Sequence, residues 1–295
     1  SQPGWYAWGL GYGYDRNGNP VQIDDHVIGL PTSQHRTMTY DALDRLTTAV
    51  SPAFGGSDHT HRFGYDALDN LTSWTQAGVK DYAEYLYDAR NRLTSIRNSS
   101  GATVVGLEYD PQGNLRNKNG QQFQFDAGNR LRGTSTGETY LYDGLGRRVQ
   151  TIQANGDTRL WQYSHGGQLL FAWSGPSQQK THEYIYLAGS LLATIDHHWP
   201  SNLIIATRYQ HTDALGSPVA LSDELGTVVE RHVYEPWGGI VGKPGYSGIG
   251  YTGHVMDGST GLTYMQQRYY DQSLGRFLSV DPVAARPAGD NFNRY

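Results

Sequence analysis

The amino-acid sequence predicts an all-β protein built from a series of β-hairpins. Three observations support this fold class: a repeated tyrosine–aspartate pattern, a composition rich in glycine and tyrosine, and little sign of a 3.6-residue apolar period. The 295 residues include 37 glycines and 22 tyrosines but only 7 phenylalanines. This composition is typical of many short strands joined by turns, and not of helices.

An eight-residue pattern that begins with an aromatic residue and an aspartate occurs repeatedly in the first half of the chain. Examples are YDALDRLT from Tyr40 and YDARNRLT from Tyr87. The copies begin at intervals of 26, 25, 22, 22, 16 and 17 residues. The pairs are Tyr14 and Asp15, Tyr40 and Asp41, Tyr65 and Asp66, Tyr87 and Asp88, Tyr109 and Asp110, Phe125 and Asp126, and Tyr142 and Asp143. So regular a series indicates structural residues and argues against a row of catalytic dyads.

Within each copy, the residue types predict a turn between two strands. The aspartate can accept a hydrogen bond from the backbone N–H two residues on. The fourth residue after the aromatic one is of a type that tolerates positive φ. These residues are Gly18, Asp44, Asp69, Asn91, Gly113, Asn129 and Gly146. In five copies a leucine then begins the next strand: Leu46, Leu71, Leu93, Leu115 and Leu131.

A single hairpin is marginally stable in water, so the repeated hairpins are expected to stack and bury an apolar face together. We expect the tyrosines to form a ladder with packed rings and with hydroxyls on polar partners. Beyond residue 150 the motif loosens but the spacing of aromatic residues persists, at Tyr163, Tyr186, Tyr209 and Tyr234. The chain is therefore predicted to be one continuous β architecture.

Charge and composition argue against several classes of protein. A net charge of −5, with charged residues at 17%, does not fit a nucleic-acid-binding protein. No apolar run approaches the ~18 residues of a transmembrane helix. The absence of cysteine removes disulfides, zinc–thiolate sites and thiol nucleophiles. We expect no nucleic-acid partner, no membrane span and no cofactor.

Two motifs that could bind a ligand are better explained as structure. The segment from Gly248 to Gly253 reads G-x-G-x-x-G, but no helix pattern follows it, as a dinucleotide site requires. His59 and His61 share one predicted strand face, yet no carboxylate cluster with ligand spacing lies nearby. We therefore expect no bound metal.

The repeated units resemble the YD repeats of RHS proteins, which also occur in bacterial Tc toxin components and animal teneurins. The last ninety residues resemble the RHS repeat-associated core domain through HTDALGSP, TGLTY, RYYD, LGRF and SVDP. The resemblance covers nearly the whole chain. It predicts a YD-repeat strip over residues 1–205 and a core domain, truncated at its C-terminal end, over residues 206–295.

This resemblance implies a spiralling sheet of hairpins that forms part of a hollow shell. Such a shell encapsulates a C-terminal toxin domain, so the implied partners are that cargo and the remaining shell, with a secretion apparatus or chaperone in addition. The implied location is secreted or cell-surface, in a bacterium. A teneurin-like module that binds glycans or a receptor at the cell surface is the alternative.

The resemblance also implies an aspartyl self-protease. Arg268 in RYYD and Asp281 in the DP motif match two of its catalytic positions. The second aspartate would follow beyond the last residue, and two close carboxylates are needed to activate water, so this stretch alone is expected to be inactive. From the residues alone, Asp281 also reads as a turn residue before Pro282. Arg268 also reads as a structural residue packed with Tyr264, Tyr269 and Tyr270.

Overall fold

A computed structural model describes residues 9–25 and 35–281 of the chain. In this part, 27 β-strands and one 3-10 turn account for the regular structure, and there is no α-helix. The all-β prediction is therefore confirmed. The chain divides into two compact units. Among the described residues, the first unit holds 9–25, 35–120 and 280–281, and the second holds 121–279.

The first unit consists of short antiparallel strands in which each strand pairs with the next along the chain. Strands β1 to β7 form one sheet in sequence order, and β8 to β11 also follow one another in sequence order. The strands are β1 Leu10–Tyr14, β2 Pro20–Asp25, β3 Arg36–Tyr40, β4 Leu46–Val50, β5 Thr60–Tyr65, β6 Leu71–Gln76, β7 Lys80–Tyr82, β8 Glu84–Tyr87, β9 Leu93–Arg97, β10 Thr103–Tyr109 and β11 Leu115–Lys118.

The second unit contains a meander from β12 to β22 and a separate five-stranded sheet, β23 to β27. The meander strands are β12 Gln121–Phe125, β13 Leu131–Thr134, β14 Thr139–Tyr142, β15 Arg148–Ile152, β16 Thr158–Tyr163, β17 Leu169–Ser174, β18 Lys180–Leu187, β19 Ser190–His198, β20 Leu203–Thr212, β21 Pro218–Ser222 and β22 Val228–Arg231. The small sheet contains β23 Gly248–Ile249, β24 Val255–Asp257, β25 Leu262–Met265, β26 Arg268–Asp271 and β27 Arg276–Phe277. The 3-10 turn covers Tyr251–Gly253.

The predicted domain boundary at residue 205 lies inside β20. The chain passes from one compact unit to the other elsewhere in the sequence, between residues 120 and 121 and between residues 279 and 280. That division follows spatial contacts and does not test a boundary between repeat and core sequence. The boundary at residue 205 stays a prediction.

The hairpins begin and end where the repeat predicted. Each repeat aromatic residue is the last residue of a strand, and the five repeat leucines each begin the next strand. All the predicted turn residues have positive φ, from 60° at Asp44 to 96° at Gly113. The G-x-G-x-x-G segment contains a 3-10 turn of only three residues, and strand β24 follows it. The helix that a dinucleotide site needs after the glycines is therefore not formed.

A feature that the repeat did not predict is a β-bulge in every one of these hairpins. The register shifts at the aromatic residue, so that Thr39 faces Thr48 while Tyr40 faces Leu46, and Thr47 is the extra residue. The same shift occurs at the other repeat aromatics. Because a bulge increases the local right-handed twist, each repeat adds a bend at the same place.

A buried histidine lies in the aromatic core of the first unit. The His61 side chain is fully buried, and its Nδ1 accepts a hydrogen bond from Trp74 Nε1 at 3.0 Å. Phe54 lies at its edge with ring centroids 4.8 Å apart. Burial lowers the pKa of His61 to about 4, because the charged ring would lose its hydration. His61 is therefore a neutral core residue.

We predict that acidification destabilises the first unit through His61. The folded pKa lies below the ordinary value of 6.5, so the stabilisation is complete above pH 6.5 and is lost as the pH falls towards 4. The loss should be on the order of 3 kcal/mol. Thermal unfolding from pH 7 to 4 should show a shallower pH dependence in His61→Gln than in the native chain. His198→Gln, at an exposed position, serves as control, and equal slopes in all three proteins would contradict the prediction.

Candidate functional site

The candidate site is the row of repeat turns, since the sequence places its most regular chemistry there. In each turn the aspartate Oδ1 accepts the backbone N–H of the residue four positions on, as Asp41 does from Arg45 at 3.0 Å. The same oxygen accepts the N–H two positions on in most copies, as from Leu43 at 2.9 Å. The residues with the second bond are Asp15, Asp41, Asp66, Asp88, Asp126 and Asp143.

These hydrogen bonds hold the turn aspartates in their charged form. The pKa of Asp15 is lowered mainly by the backbone N–H of Asn19. For Asp41, burial acts in the opposite direction, but hydrogen bonds from the backbone and from the Arg45 side chain lower the pKa overall. Each of these carboxylates is engaged in closing its own turn, so the turn row is organised as a structural element and not as a set of proton-transfer groups.

The five repeat tyrosines after Tyr14 each link their own hairpin to the preceding one. In each case the hydroxyl donates to the main-chain carbonyl of the first residue in the second strand of the preceding hairpin. We call this contact a rung. The rungs are Tyr40 to Pro20 at 2.9 Å, Tyr65 to Leu46 at 2.8 Å, Tyr87 to Leu71 at 2.8 Å, Tyr109 to Leu93 at 2.8 Å and Tyr142 to Leu131 at 2.5 Å.

The series has one gap, at Phe125. Phenylalanine has no hydroxyl, so this residue cannot donate a rung hydrogen bond. Further along the chain, the Tyr234 hydroxyl donates to the Pro218 carbonyl at 2.9 Å, and Pro218 again begins a strand. Rungs therefore continue where the sequence motif has become hard to recognise.

The fifth residue after the aromatic one connects neighbouring turns, a role that sequence reasoning missed. Arg45 bonds Asp41 within its own turn and reaches both Asp69 Oδ1 and the Asp66 carbonyl in the next turn, at 2.9 and 2.7 Å. Its guanidinium also lies 4.9 Å from the centroid of the Tyr65 ring. Arg92 and Arg147 stack on the next tyrosine in the same way. The signal was present in the sequence, as this position is always arginine or asparagine.

A second structural centre, at Arg148, joins the long meander to the small sheet within the second unit. Arg148 occupies the position where five of the six other copies have leucine, and its side chain is fully buried. The guanidinium forms a two-pronged ion pair with Asp257 of β24, in which Nη2 lies 3.1 Å from Oδ1. The Arg148 backbone N–H donates to the Tyr264 hydroxyl at 2.6 Å. This departure from leucine was visible in the sequence, but its partner was not.

Aromatic rings enclose the Arg148 guanidinium. The centroid of the Tyr264 ring lies 4.5 Å from it, and three further rings lie within 6 Å: Trp161, Tyr140 and Tyr269. Burial opposes the charge, but Asp257 more than compensates and raises the pKa of Arg148 well above its ordinary value. Arg148 thus stays charged in the core, held by one carboxylate and the faces of the rings.

Three polar contacts support the same junction. The buried carboxylate of Glu138 accepts from the Tyr140 hydroxyl at 2.6 Å and from Ser259 Oγ at 2.5 Å. Gln266 Nε2 donates to the Gly167 carbonyl at 2.6 Å. Ser259 and Gln266 follow β24 and β25, so the small sheet is fixed to the meander at several points.

The two residues predicted to catalyse self-cleavage have the following surroundings. Arg268 begins β26, and its guanidinium lies 3.7 Å from the centroid of the Phe277 ring. Asp281 is the last residue that the structure describes, and it belongs to the first unit, whereas Arg268 belongs to the second. Pro282 and the residues after it lie outside the described part. A proteolytic role for Arg268 and Asp281 stays a prediction.

The described residues contain no cluster of three or more histidine, aspartate or glutamate side chains arranged to hold a metal. His59 Nδ1 contacts the Phe54 carbonyl at 2.6 Å, while His61 is engaged by Trp74. In residues 9–25 and 35–281, no helix is long and apolar enough to cross a membrane.

The rungs, the turn contacts and the pairing of each strand with the next one along the chain define this protein as a scaffold of stacked β-hairpins. The family model described as Teneurin YD-shell matches residues 12–289, and the chain belongs to this family. The predicted relation to YD-repeat proteins is therefore confirmed.

Individual relatives include both bacterial and animal proteins. The chain is 27% identical over 324 residues to Double-stranded DNA deaminase toxin A of Burkholderia cenocepacia, covering 96% of this chain and 21% of the relative. It is 26% identical over 281 residues to human Teneurin-4, covering 91% of this chain and 10% of that protein. The chain thus spans about a fifth or less of the length of these relatives.

Among solved structures, the chain is similar to one described as TcdB2-TccC3 without the hypervariable C-terminal region. The TM-score is 0.64 at 19% identity, covering 98% of this chain and 17% of the other. At this identity the similarity establishes the fold, which is that of a YD-shell.

We predict that the rungs contribute measurably to stability. Tyr87→Phe removes only the hydroxyl that bonds the Leu71 carbonyl, and should lower the free energy of unfolding by about 1 kcal/mol. Denaturant titration measures the change. Tyr14→Phe, at a largely exposed tyrosine, is the control, and a loss there as large as in Tyr87→Phe would argue against the rung.

We predict a much larger effect at Arg148. Arg148→Leu alone leaves the Asp257 carboxylate buried without its partner and should cost about 3–5 kcal/mol. The double variant Arg148→Leu with Asp257→Asn removes both charges and should recover a large part of the loss. A double-mutant cycle by thermal unfolding measures the coupling. Arg116→Leu, which breaks the exposed pair with Glu108, should cost less than about 1 kcal/mol, and an equal loss at both sites would contradict the assignment.

Proposed function

We propose that this chain is a structural segment of a toxin shell, which together with further YD-shell sequence encloses a toxin domain. The observation that carries the proposal is the row of rungs, because within each compact unit it joins weak hairpins into a wall. The turn carboxylates and tyrosine hydroxyls are used in building this wall. Their engagement supports a container role over a catalytic one.

The relatives support the proposal that the enclosed domain is a toxin. One is described as a deaminase toxin and another as the tRNA nuclease WapA of Bacillus subtilis, 26% identical over 233 residues and matching 9% of that protein. A shared segment in proteins with different activities fits a common container and variable cargo. The proposed partners are a C-terminal toxin domain and the remaining shell, together with a secretion apparatus or chaperone. The proposed location is outside or on the surface of a bacterial cell.

The contacts around Arg148 explain how such a wall would be held in place. Arg148, Glu138 and Gln266 fix the small sheet of residues 248–277 onto the meander. A wall whose C-terminal part is anchored by a buried ion pair can retain a cargo without binding it through specific contacts. The alternative role as a glycan- or receptor-binding module stays a prediction.

Limited proteolysis of the full-length natural protein tests this function. We expect its toxin domain to resist trypsin in the native protein and to be digested at least tenfold faster in Asp257→Asn, because the anchored part of the wall opens. Glu108→Gln, at an exposed ion pair, should leave protection unchanged. If the toxin domain is digested at the same rate with the YD-shell sequence present and deleted, the container role is wrong.

A further inference from the structure

Strand β20 has an open edge within the second unit. Its neighbour β19 pairs with it from Leu203 to Tyr209, but on the other side β21 pairs only with Tyr209–Thr212. Residues 203–208 therefore project beyond the end of β21. In the described part of the chain, no backbone group bonds the edge of residues 203–208 that faces away from β19.

This open edge is apolar on both faces. Leu203, Ile204 and Ile205 are 68%, 62% and 49% exposed. Leu203 and Ile204 face successive residues of β19 and point to opposite faces, so neither face is covered here. Ile205 is the extra residue of a β-bulge, because Ile204 faces His197 while Ala206 faces Asp196. The stretch from Leu203 to Thr207 also lacks the charged or proline residues that usually block an exposed strand edge. The edge is thus a template to which an extended chain can add.

A cavity with a volume of ≈ 330 Å³ lies on the face beside this edge. Arg208 and Gln210 of β20 line it, as do Asp196 of β19 and Arg159 of β16, and residues 246–249 lie against its other side. Because Arg208 belongs both to the open edge and to the cavity lining, a strand added at this edge would place alternate side chains next to the cavity.

The charges around the cavity favour an acidic side chain. Asp196 pairs with His182 at 2.8 Å, and Glu230 pairs with Lys243 at 2.6 Å and with His232. Within the described residues neither Arg159 nor Arg208 contacts a carboxylate, and Arg159 Nε is buried without a hydrogen-bond acceptor. A buried donor without a partner is costly, and a carboxylate is its strongest acceptor.

We propose that β20 binds an extended peptide strand by β-augmentation, with an acidic side chain of that strand entering the cavity near Arg159 and Arg208. Main-chain hydrogen bonds to residues 203–208 supply affinity, and the two guanidinium groups supply selectivity. The partner is a polypeptide segment with apolar and β-branched residues around one glutamate or aspartate. This inference goes beyond the container role and does not depend on it.

The test uses the full chain and two fluorescein-labelled ten-residue peptides of alternating valine and threonine, one with a central glutamate and one with glutamine there. Fluorescence polarisation should show the glutamate peptide binding about tenfold more tightly. Arg208→Gln should remove this preference. Ile205→Lys should abolish binding, whereas Ile185→Lys, at an exposed position in strand β18, which is paired with strands on both sides, should bind like the native chain.

Hydrogen exchange of the native chain supplies a readout that does not depend on variants folding. The glutamate peptide should slow amide exchange within residues 203–208. The proposal is overturned if neither peptide binds, if Ile205→Lys and Ile185→Lys have equal effects, or if exchange in 203–208 is unchanged. It is also overturned if sedimentation shows a dimer of the native chain that Ile205→Lys abolishes, since a second copy would then occupy the edge.

Discussion

The hydrogen bond from a tyrosine hydroxyl to a main-chain carbonyl of the preceding hairpin is the interaction on which the rest of this structure depends. A five-residue turn closed by one aspartate fixes where its two strands begin and end, but it does not position the neighbouring hairpin. The rung does so, because it joins the end of one strand to the beginning of a strand in the hairpin before it. Arginine or asparagine at the fifth position then ties the turns themselves together.

Local features of the fold could be predicted from the sequence, and longer-range ones could not. Positive φ at Asp44 and the strand start at Leu46 follow from residue type and position within one repeat. The acceptor of each tyrosine hydroxyl lies 11–20 residues away in the earlier hairpin, at a spacing that changes between repeats. The bulge at each aromatic residue has no single residue-type signal, since the extra residue is threonine, valine or arginine in different copies.

The Arg148 centre shows the same limit in a different form. An arginine in a leucine position is visible in one sequence, and it marks the last clear repeat as unusual. Its partner Asp257 is 109 residues away in a separate sheet, and only the folded chain brings the two together. A buried charge pair is less forgiving than leucine packing, since either charge alone is strongly disfavoured. The ion pair therefore favours one arrangement of the small sheet on the meander and disfavours others.

The repeat intervals vary although every repeat turn in the first half has the same length. The segments between the strands of a hairpin, such as 41–45 and 126–130, are each five residues long. The connections from one hairpin to the next differ in length, as the described segments 135–138, of four residues, and 51–59, of nine residues, show. All rungs and turn contacts lie at the ends of the strands that the turns of constant length join. At the other ends of the strands, where one hairpin connects to the next, sequence can be gained or lost during evolution without disturbing a rung. New surface features can therefore be added there while the wall stays the same.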